Sequence, residues 1–255
     1  MARVTVVDAG RLADAAAEHL TERIEQAIAA RGSAQVSLTG GHTPEQAYAA
    51  LADRSRPYRQ RIDWSRVHLF WGDERHVPPE HPDSNFGMAD RALLQHIPIP
   101  PDHIHRVHAE YPDPHAAAAE YARELPERFD VMLLGLGEDC HIASIFPGSE
   151  LVDDHAAEPA SPADADLSQP SHHRDRVVAV FAPHLRAWRI TMTPPVILDS
   201  RVIVMLVGGK GKAAAVAAAI DAPLDVSRYP GQLVRESGDR VEWLIDRDAA
   251  GRLRG

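Results

Sequence analysis

Cysteine is almost absent from this chain of 255 residues, which contains a single one, Cys140. One thiol can form neither an intrachain disulfide nor a thiolate metal cluster. We therefore expect a reducing, cytoplasmic location.

Long apolar segments are absent as well. A membrane-spanning helix needs about 20 consecutive apolar residues, and the sequence has no such run. The chain passes from Met1, Ala2 and Arg3 into a strand-like segment at residues 4–7, without the basic and apolar regions of an export signal. We expect no membrane partner and no export.

Basic residues are fewer than acidic ones: the chain has 27 Lys and Arg residues against 37 Asp and Glu residues, and its formal net charge is -10. Binding to a phosphate backbone requires clustered positive charge. The sequence therefore predicts no nucleic-acid partner. An anionic small molecule remains compatible with this composition if positive charge is concentrated locally.

Several site motifs are missing. The 15 histidines show no His-x-x-x-His spacing and no two-histidine-plus-carboxylate spacing on a helical face, so no metal site is predicted. The sequence has neither a G-x-x-x-x-G-K-[ST] loop nor a dinucleotide fingerprint. It also lacks the G-x-S-x-G turn of serine hydrolases.

The chain does have short apolar runs that alternate with helical patterns. Val131–Leu134 and Val202–Val207 are continuous apolar segments of strand length, typical of buried parallel strands. Residues 12–28 carry an apolar stripe at four-residue spacing, which predicts a helix ending near Gly32. We predict one α/β domain over residues 1–255, with a surface helix after Asp246.

Glycines and polar residues follow several of the predicted strands. Residues 39–44 read T-G-G-H-T-P between a strand and a helix. This arrangement suits an anion, because Gly40 and Gly41 allow close backbone approach, Thr43 offers a hydroxyl and the helix start presents free N–H groups. A simple tight turn is the alternative.

Charged residues occupy comparable positions elsewhere. Asp73, Glu74 and Arg75 follow the strand Val67–Trp71, and residues 138–141, E-D-C-H, follow Val131–Leu134. Arg189 interrupts an apolar strand, where it is either an edge residue or a phosphate ligand. Because ligands bind beyond the carboxyl ends of parallel strands, these segments predict one pocket.

Residues 151–175 are rich in Asp, Ala, Pro, Ser and His and predict a long exposed loop, which is a lid, a subunit contact or a solvated segment.

Four separated stretches together resemble the 6-phosphogluconolactonase family, within the larger group that includes glucosamine-6-phosphate deaminases. They are T-G-G-H-T-P at residues 39–44, L-F-W-G-D-E-R-H-V-P at 69–78, L-G-L-G-E-D-C-H-I-A-S-I-F-P-G-S at 134–149, and R-I-T-M-T-P-P-V-I at 189–197 with G-K-G-K-A at 209–213. The resemblance implies a Rossmann-like, mostly parallel sheet flanked by helices on both faces and no cofactor. It also implies hydrolysis of the lactone of 6-phosphogluconate in the pentose phosphate pathway, by a monomer or a small homo-oligomer.

Two differences favour the lactonase branch over the deaminase branch. Deaminases typically have D-E-Y where this chain has D-E-R at residues 73–75, and I-A-F-N-E-P where this chain has I-A-S-I-F-P at residues 142–147. A deaminase or isomerase of amino-sugar phosphates is the alternative enzyme, and a non-catalytic sugar-phosphate-binding protein is the alternative outside enzymes.

The chain departs from the family pattern at three positions. Cys140 occupies a place that is usually glycine, Ile142 follows the histidine, and His42 stands fourth in the glycine turn, where we expect it to face solvent. A cysteine with positive φ would cost on the order of 1 kcal/mol. Cys140 beside His141 also raises the alternative of a thiol nucleophile, which we disfavour because adjacent side chains rarely face each other.

Lactone hydrolysis needs a base for the attacking water and a proton for the departing ring oxygen. A histidine can do both, and His141 is the candidate by position and by resemblance. Asp139 or Asp73 would orient its imidazole, and Arg75 would steady the oxyanion or the sugar oxygens. The resemblance places Lys212, rather than Lys210, at the family's lysine position. The predicted phosphate ligands are Gly40, Gly41, Thr43, Arg189 and Lys212.

Overall fold

A six-stranded parallel sheet forms the centre of the computed structural model, which describes residues 2–152 and 175–254. Its strands are β1 (Arg3–Val7), β2 (Ala34–Leu38), β3 (Val67–Trp71), β5 (Val131–Leu134), β8 (Val202–Val207) and β9 (Val241–Asp246). They are arranged in the order β1-β9-β8-β5-β2-β3, and every neighbouring pair is parallel.

Helices cover both faces of this sheet. Along β5, Val131 and Leu133 belong to one buried cluster and Met132 and Leu134 to the other, as expected when successive side chains alternate across a strand. Both clusters are apolar, so burial from both sides accounts for the uninterrupted apolar strands. The predicted fold class is confirmed. The α-helices that lie wholly within the described residues are α1 (Leu12–Arg31), α2 (His42–Ala52), α3 (Asn85–Ala92), α4 (Pro114–Glu124), α5 (Pro194–Leu198) and α6 (Ala213–Asp221).

Local signals set the ends of these helices. Gly32 ends α1 with φ 84°, and its N–H donates to the Ile28 carbonyl at 2.8 Å. This left-handed conformation favours glycine, as the sequence predicted. The side chain of Ser84 caps α3 by accepting a hydrogen bond from the Gly87 N–H at 3.0 Å. The cap fixes where α3 begins, next to the predicted pocket.

A second, antiparallel sheet has the order β4-β7-β6, with β4 at Asp73–Arg75, β6 at Val177–Ala182 and β7 at Ala187–Met192. The sequence did not predict β4, because three consecutive charged residues are typical of a loop. The Met192 N–H donates to the Gly72 carbonyl at 2.9 Å, which joins the end of β7 to the chain between β3 and β4. The small sheet therefore extends from the edge where the strands of the large sheet end.

Two expectations about less regular segments need correction. Residues 247–252 form hydrogen-bonded turns rather than a helix, and Ala249 within them is fully buried. Leu151 and Val152 are helical and buried, so no exposed loop begins at residue 151. Residues 153–174, most of the predicted loop, lie outside the described residues. Among the helices that are described, none combines the length and the apolar character needed to cross a bilayer.

Candidate active site

One cleft of about 590 Å³ lies beyond the carboxyl ends of β2, β5 and β8. This volume is within the range of about 300–1,000 Å³ that is usual for small-molecule sites. Of the predicted site residues, only Asp139 is not part of the cleft wall, and it lies against His141. The predicted residues that line the cleft are Gly40, Gly41, Thr43, Asp73, Arg75, His141, Arg189 and Lys212.

The imidazole of His141 is held by Asp139. Its Nδ1 lies 2.5 Å from Asp139 Oδ1, and the same oxygen accepts a hydrogen bond from the His141 backbone N–H at 3.2 Å. The bond to His141 lowers the pKa of Asp139 to about 2, so the carboxylate is the acceptor near neutral pH. Neutral His141 then carries its proton on Nδ1. Its Nε2 has no hydrogen-bond partner among the described residues and is left with a free lone pair.

Gly137 provides the space for this pair. A Cβ atom built on Gly137 would lie 2.1 Å from His141 Nδ1 and 2.5 Å from Asp139 Oδ1. The loop is closed by two backbone bonds, from the Cys140 N–H to the Gly137 carbonyl at 3.0 Å and from the Gly137 N–H to the His141 carbonyl at 2.9 Å. The absence of a side chain at Gly137 therefore permits the position of the imidazole.

Cys140 faces the core instead of the cleft. Its φ is 71°, the left-handed conformation expected at a position that usually holds glycine. Its thiol is buried and donates to the Ala215 carbonyl at 3.6 Å. Burial raises the pKa of the thiol to about 11, so the reactive thiolate is scarce at neutral pH. The geometry disfavours a thiol nucleophile and leaves His141 as the group beside the cleft.

Asp73 contacts a different partner. Its Oδ2 accepts a hydrogen bond from the Ser144 hydroxyl at 2.7 Å, and Asn85 Nδ2 donates to its Oδ1 at 3.3 Å. Of the two carboxylates considered for orienting His141, Asp139 is thus the one in contact with it. Asp73 instead connects the start of β4 to α3 and to the His141 loop.

Glu74 fixes the position of β4. Its carboxylate is buried and accepts backbone hydrogen bonds, each 2.7 Å long, from Arg75, Asn85 and Phe86. The last two N–H groups belong to the first turn of α3, where a carboxylate is favourable. Burial nonetheless raises the pKa of Glu74. Glu74 therefore holds Asp73 and Arg75 at the cleft without lining it.

The glycine turn before α2 forms another part of the cleft wall. A Cβ atom on Gly40 would lie 1.8 Å from Asn85 Oδ1, so only glycine fits against this asparagine. Gly41 has φ 108° and precedes the first residue of α2. Thr43 lies in the first turn of α2 and approaches Gly208, where an added Cβ would be 3.3 Å from its hydroxyl. Free N–H groups at the start of α2 are available to an anion in the cleft.

Three cationic side chains, Arg75, Arg189 and Lys212, and one carboxylate, Asp73, line the cleft. Positive charge is thus concentrated here in a chain whose formal net charge is -10. Burial, with a smaller effect of Arg75, lowers the pKa of Arg189. Lys212 lines the cleft and Lys210 does not.

Among the polar and aromatic residues that line the cleft, four were not singled out by the sequence: Asn85, Ser144, Phe146 and His184. Asn85 follows Ser84, the cap of α3, and Ser144 and Phe146 lie close after His141 in the same motif, so their proximity could have been noticed. His184 lies in the turn between β6 and β7, and no sequence signal indicates that this turn reaches the cleft.

His42 lines the cleft mouth, and its side chain is 81% exposed, as expected for a solvent-facing residue.

Within residues 2–152 and 175–254, the one group of histidine and carboxylate side chains close enough to hold a metal ion is His108, Glu120 and Glu124. None of these three lines the cleft.

Comparison with known proteins agrees with this architecture. The chain is 39% identical to a 6-phosphogluconolactonase of Mycobacterium tuberculosis, with 96% of each chain covered, and 36% identical to one of Synechocystis, with 92% of this chain and 91% of that protein covered. The solved 6-phosphogluconolactonase of Trypanosoma brucei has a TM-score of 0.80 at 26% identity and covers 100% of this chain and 99% of its own.

A monomeric glucosamine-6-phosphate deaminase has the same fold, with a TM-score of 0.79 at 21% identity over 98% of this chain and 99% of its own. Residues 7–243 match the family model described as glucosamine-6-phosphate isomerases/6-phosphogluconolactonase. This match covers most of the chain, and the lactonases of Mycobacterium tuberculosis and Synechocystis align with 96% and 92% of it. The chain belongs to the glucosamine-6-phosphate isomerase/6-phosphogluconolactonase family.

Proposed function

We propose that this protein hydrolyses 6-phospho-D-glucono-1,5-lactone to 6-phosphogluconate, the reaction named in its relatives. One observation carries the proposal. One cleft holds both the Asp139-supported His141 and the cationic side chains Arg75, Arg189 and Lys212. A phosphorylated lactone requires a base at its carbonyl carbon and cations at its phosphate.

His141 acts as the base. Because Asp139 accepts a hydrogen bond from the Nδ1–H group, the Nε2 lone pair takes a proton from water as the water oxygen bonds to the lactone carbonyl carbon. The bond between that carbon and the ring oxygen then breaks, and the ring oxygen takes the proton back from Nε2. The products are a carboxylic acid and a hydroxyl group, and His141 returns to its starting state.

The negative carboxylate of Asp139 stabilises the imidazolium that exists between these two transfers. A pKa of about 2 keeps Asp139 ionised throughout the ordinary pH range. The cationic cleft also favours the negative charge that develops on the carbonyl oxygen, since low-dielectric surroundings strengthen such interactions.

The phosphate binds to the cationic residues and the glycine turn of the cleft. A phosphate monoester carries roughly -1.5 to -2 charge at pH 7 and has three strong acceptor oxygens. Arg189 and Arg75 supply guanidinium groups, Lys212 supplies an ammonium group, and the Gly40–Gly41 turn with Thr43 supplies N–H and hydroxyl donors. These residues position the lactone so that its carbonyl carbon faces His141.

Three measurements on the wild-type protein test this function. We expect 6-phosphogluconate to form from the lactone well above the spontaneous rate, with no ammonia released from glucosamine 6-phosphate. Ammonia release without lactone hydrolysis would instead establish a deaminase. Tight binding of 6-phosphogluconate without any acceleration of hydrolysis would establish a binding protein.

A further inference from the structure

The imidazole of His141 contacts an aromatic side chain that the mechanism above does not use. We propose that Phe146 and His184 form an aromatic brace that fixes the plane of the His141 ring, and this inference rests on the proposed function of His141 as the base. The ring centroids of His141 and Phe146 are 4.8 Å apart, with an angle of 51° between their planes. Those of Phe146 and His184 are 4.9 Å apart in an edge-to-face contact at 76°.

Asp139 alone does not determine the orientation of the imidazole. The side chains of His141 and Asp139 are 33% and 44% exposed, so the two hydrogen-bonded groups can move together as the imidazole rotates about its Cα–Cβ and Cβ–Cγ bonds. Such a rotation would move Nε2, which lies on the far side of the ring. A misplacement of about 1 Å in a reacting group can lower a rate about 100-fold. A second contact on the ring is therefore needed, and Phe146 provides it.

Buried isoleucines hold Phe146 in place. Ile142 and Ile145 are both buried and form an isolated bridge, and the Ile145 N–H donates to the Ile142 carbonyl at 2.9 Å. This tight turn brings Phe146 back against His141, five residues earlier in the chain. The Ser149 N–H donates to the Phe146 carbonyl at 3.0 Å, which closes the next turn. The backbone at Phe146 is thus held by its own loop, and the ring is left to be fixed by its side-chain contacts.

His184 reaches Phe146 from the other sheet. It lies in the turn between β6 and β7, where the Arg186 N–H donates to the Pro183 carbonyl at 3.2 Å. The strand that follows this turn carries Arg189. The brace thus connects the loop that holds the base to the hairpin that carries a phosphate ligand.

A ring contact and a proton transfer are different roles for His184, and they predict different activities for the variants His184→Phe and His184→Ala. If His184 acts by its ring, phenylalanine should replace it and alanine should not. If His184 carries a proton, both variants should lose activity equally and the pH profile of kcat should change.

Kinetics of matched variants test the brace. We expect Phe146→Leu and His184→Ala to lower kcat by roughly ten-fold, within the loss that misplacement causes, with KM changed less than about twofold. Phe146→Tyr and His184→Phe should recover most of the lost kcat. The control is Phe181→Leu, which alters an exposed aromatic residue of the same hairpin outside the cleft.

Nuclear magnetic resonance supplies a readout that is independent of activity. The imidazole proton signals of His141, assigned by their loss in His141→Ala, should shift in Phe146→Leu and return toward the wild-type positions in Phe146→Tyr. An unshifted His141 signal in Phe146→Leu, an unchanged kcat in that variant, or equal losses in His184→Phe and His184→Ala would each overturn the proposal. A wild-type protein without lactonase activity would contradict the proposed function, whereas the signal shift would still report the contact.

Discussion

Arg75 and Arg189 lie directly opposite each other in the antiparallel pair formed by β4 and β7. Like charges in this position repel, which destabilises a strand pair. Neither guanidinium forms an ion pair with a carboxylate in residues 2–152 or 175–254, and both line the cleft. An anion bound between them would relieve the repulsion, so the pair is suited to binding the substrate phosphate.

The first prediction concerns this arginine pair. Arg75→Ala and Arg189→Ala should each raise KM for the lactone by roughly 10- to 100-fold, because a hydrogen bond to a charged group contributes about 1.5–3 kcal/mol. Inorganic phosphate should raise the melting temperature of the wild type more than that of either variant. Arg186→Ala, on the same hairpin but outside the cleft wall, is the control. Unchanged KM values in both cleft variants would show that the phosphate binds elsewhere.

The second prediction concerns Gly137. In Gly137→Ala the new Cβ would overlap His141 and Asp139, so the imidazole must move and kcat should fall at least tenfold while KM changes little. Steady-state kinetics measure this split. Gly10→Ala is the matched control, since a Cβ there meets nothing within 4 Å. Equal kcat values in the two variants would contradict the position assigned to His141.

Cys140 is the subject of the third prediction. Because its thiol is buried, with a pKa raised to about 11, the folded protein should react slowly with iodoacetamide at pH 7 and rapidly once denatured. Cys140→Ala should keep kcat within about threefold of wild type, because the thiol faces the core and not the substrate. Loss of activity in Cys140→Ala, with folding intact by circular dichroism, would revive the nucleophile alternative.

The fourth prediction concerns pH and Asp139. Its pKa is lowered to about 2 in the folded protein, against about 3.9 in an unfolded chain. The unfolded state therefore binds more protons in this interval, and the stabilisation is fully present above about pH 4 and is lost as the pH falls toward 2.

Asp139→Asn removes this dependence and weakens the hold on the imidazole. The difference in unfolding free energy between wild type and Asp139→Asn should shrink as the pH falls below about 4. The kcat of the variant should fall, since an amide stabilises imidazolium less than a carboxylate does. A stability difference that stays constant down to pH 2 would argue against the Asp139–His141 bond.

Continuous apolar runs explain why the sequence predicted the central sheet. Val131–Leu134 and Val202–Val207 have no polar interruption, which only strands covered on both faces tolerate. Because ligands bind at the carboxyl ends of such strands, the sequence also predicted that His141, Asp73 and Lys212 line one cleft. Each of these residues lies close after a predicted strand or within the turn that follows it.

Other features depend on contacts that no local pattern encodes. Asp73–Arg75 forms a strand because β7 pairs with it and the Glu74 carboxylate accepts hydrogen bonds from α3, although its residue types favour a loop. The choice of Asp139 over Asp73 as the partner of His141 depends on the closed turn at Gly137. The contact between Phe146 and His184 requires the position of a hairpin turn on the other sheet.

The most direct test of the central claim compares lactone hydrolysis by the wild type with hydrolysis by His141→Ala, each corrected for the spontaneous rate. If His141 Nε2 accepts the proton of the attacking water, the variant should bind 6-phosphogluconate with nearly unchanged affinity and lose at least 100-fold in kcat, within the usual contribution of a general base of about 10²–10⁴. Comparable kcat values for the two proteins would contradict the role assigned to His141.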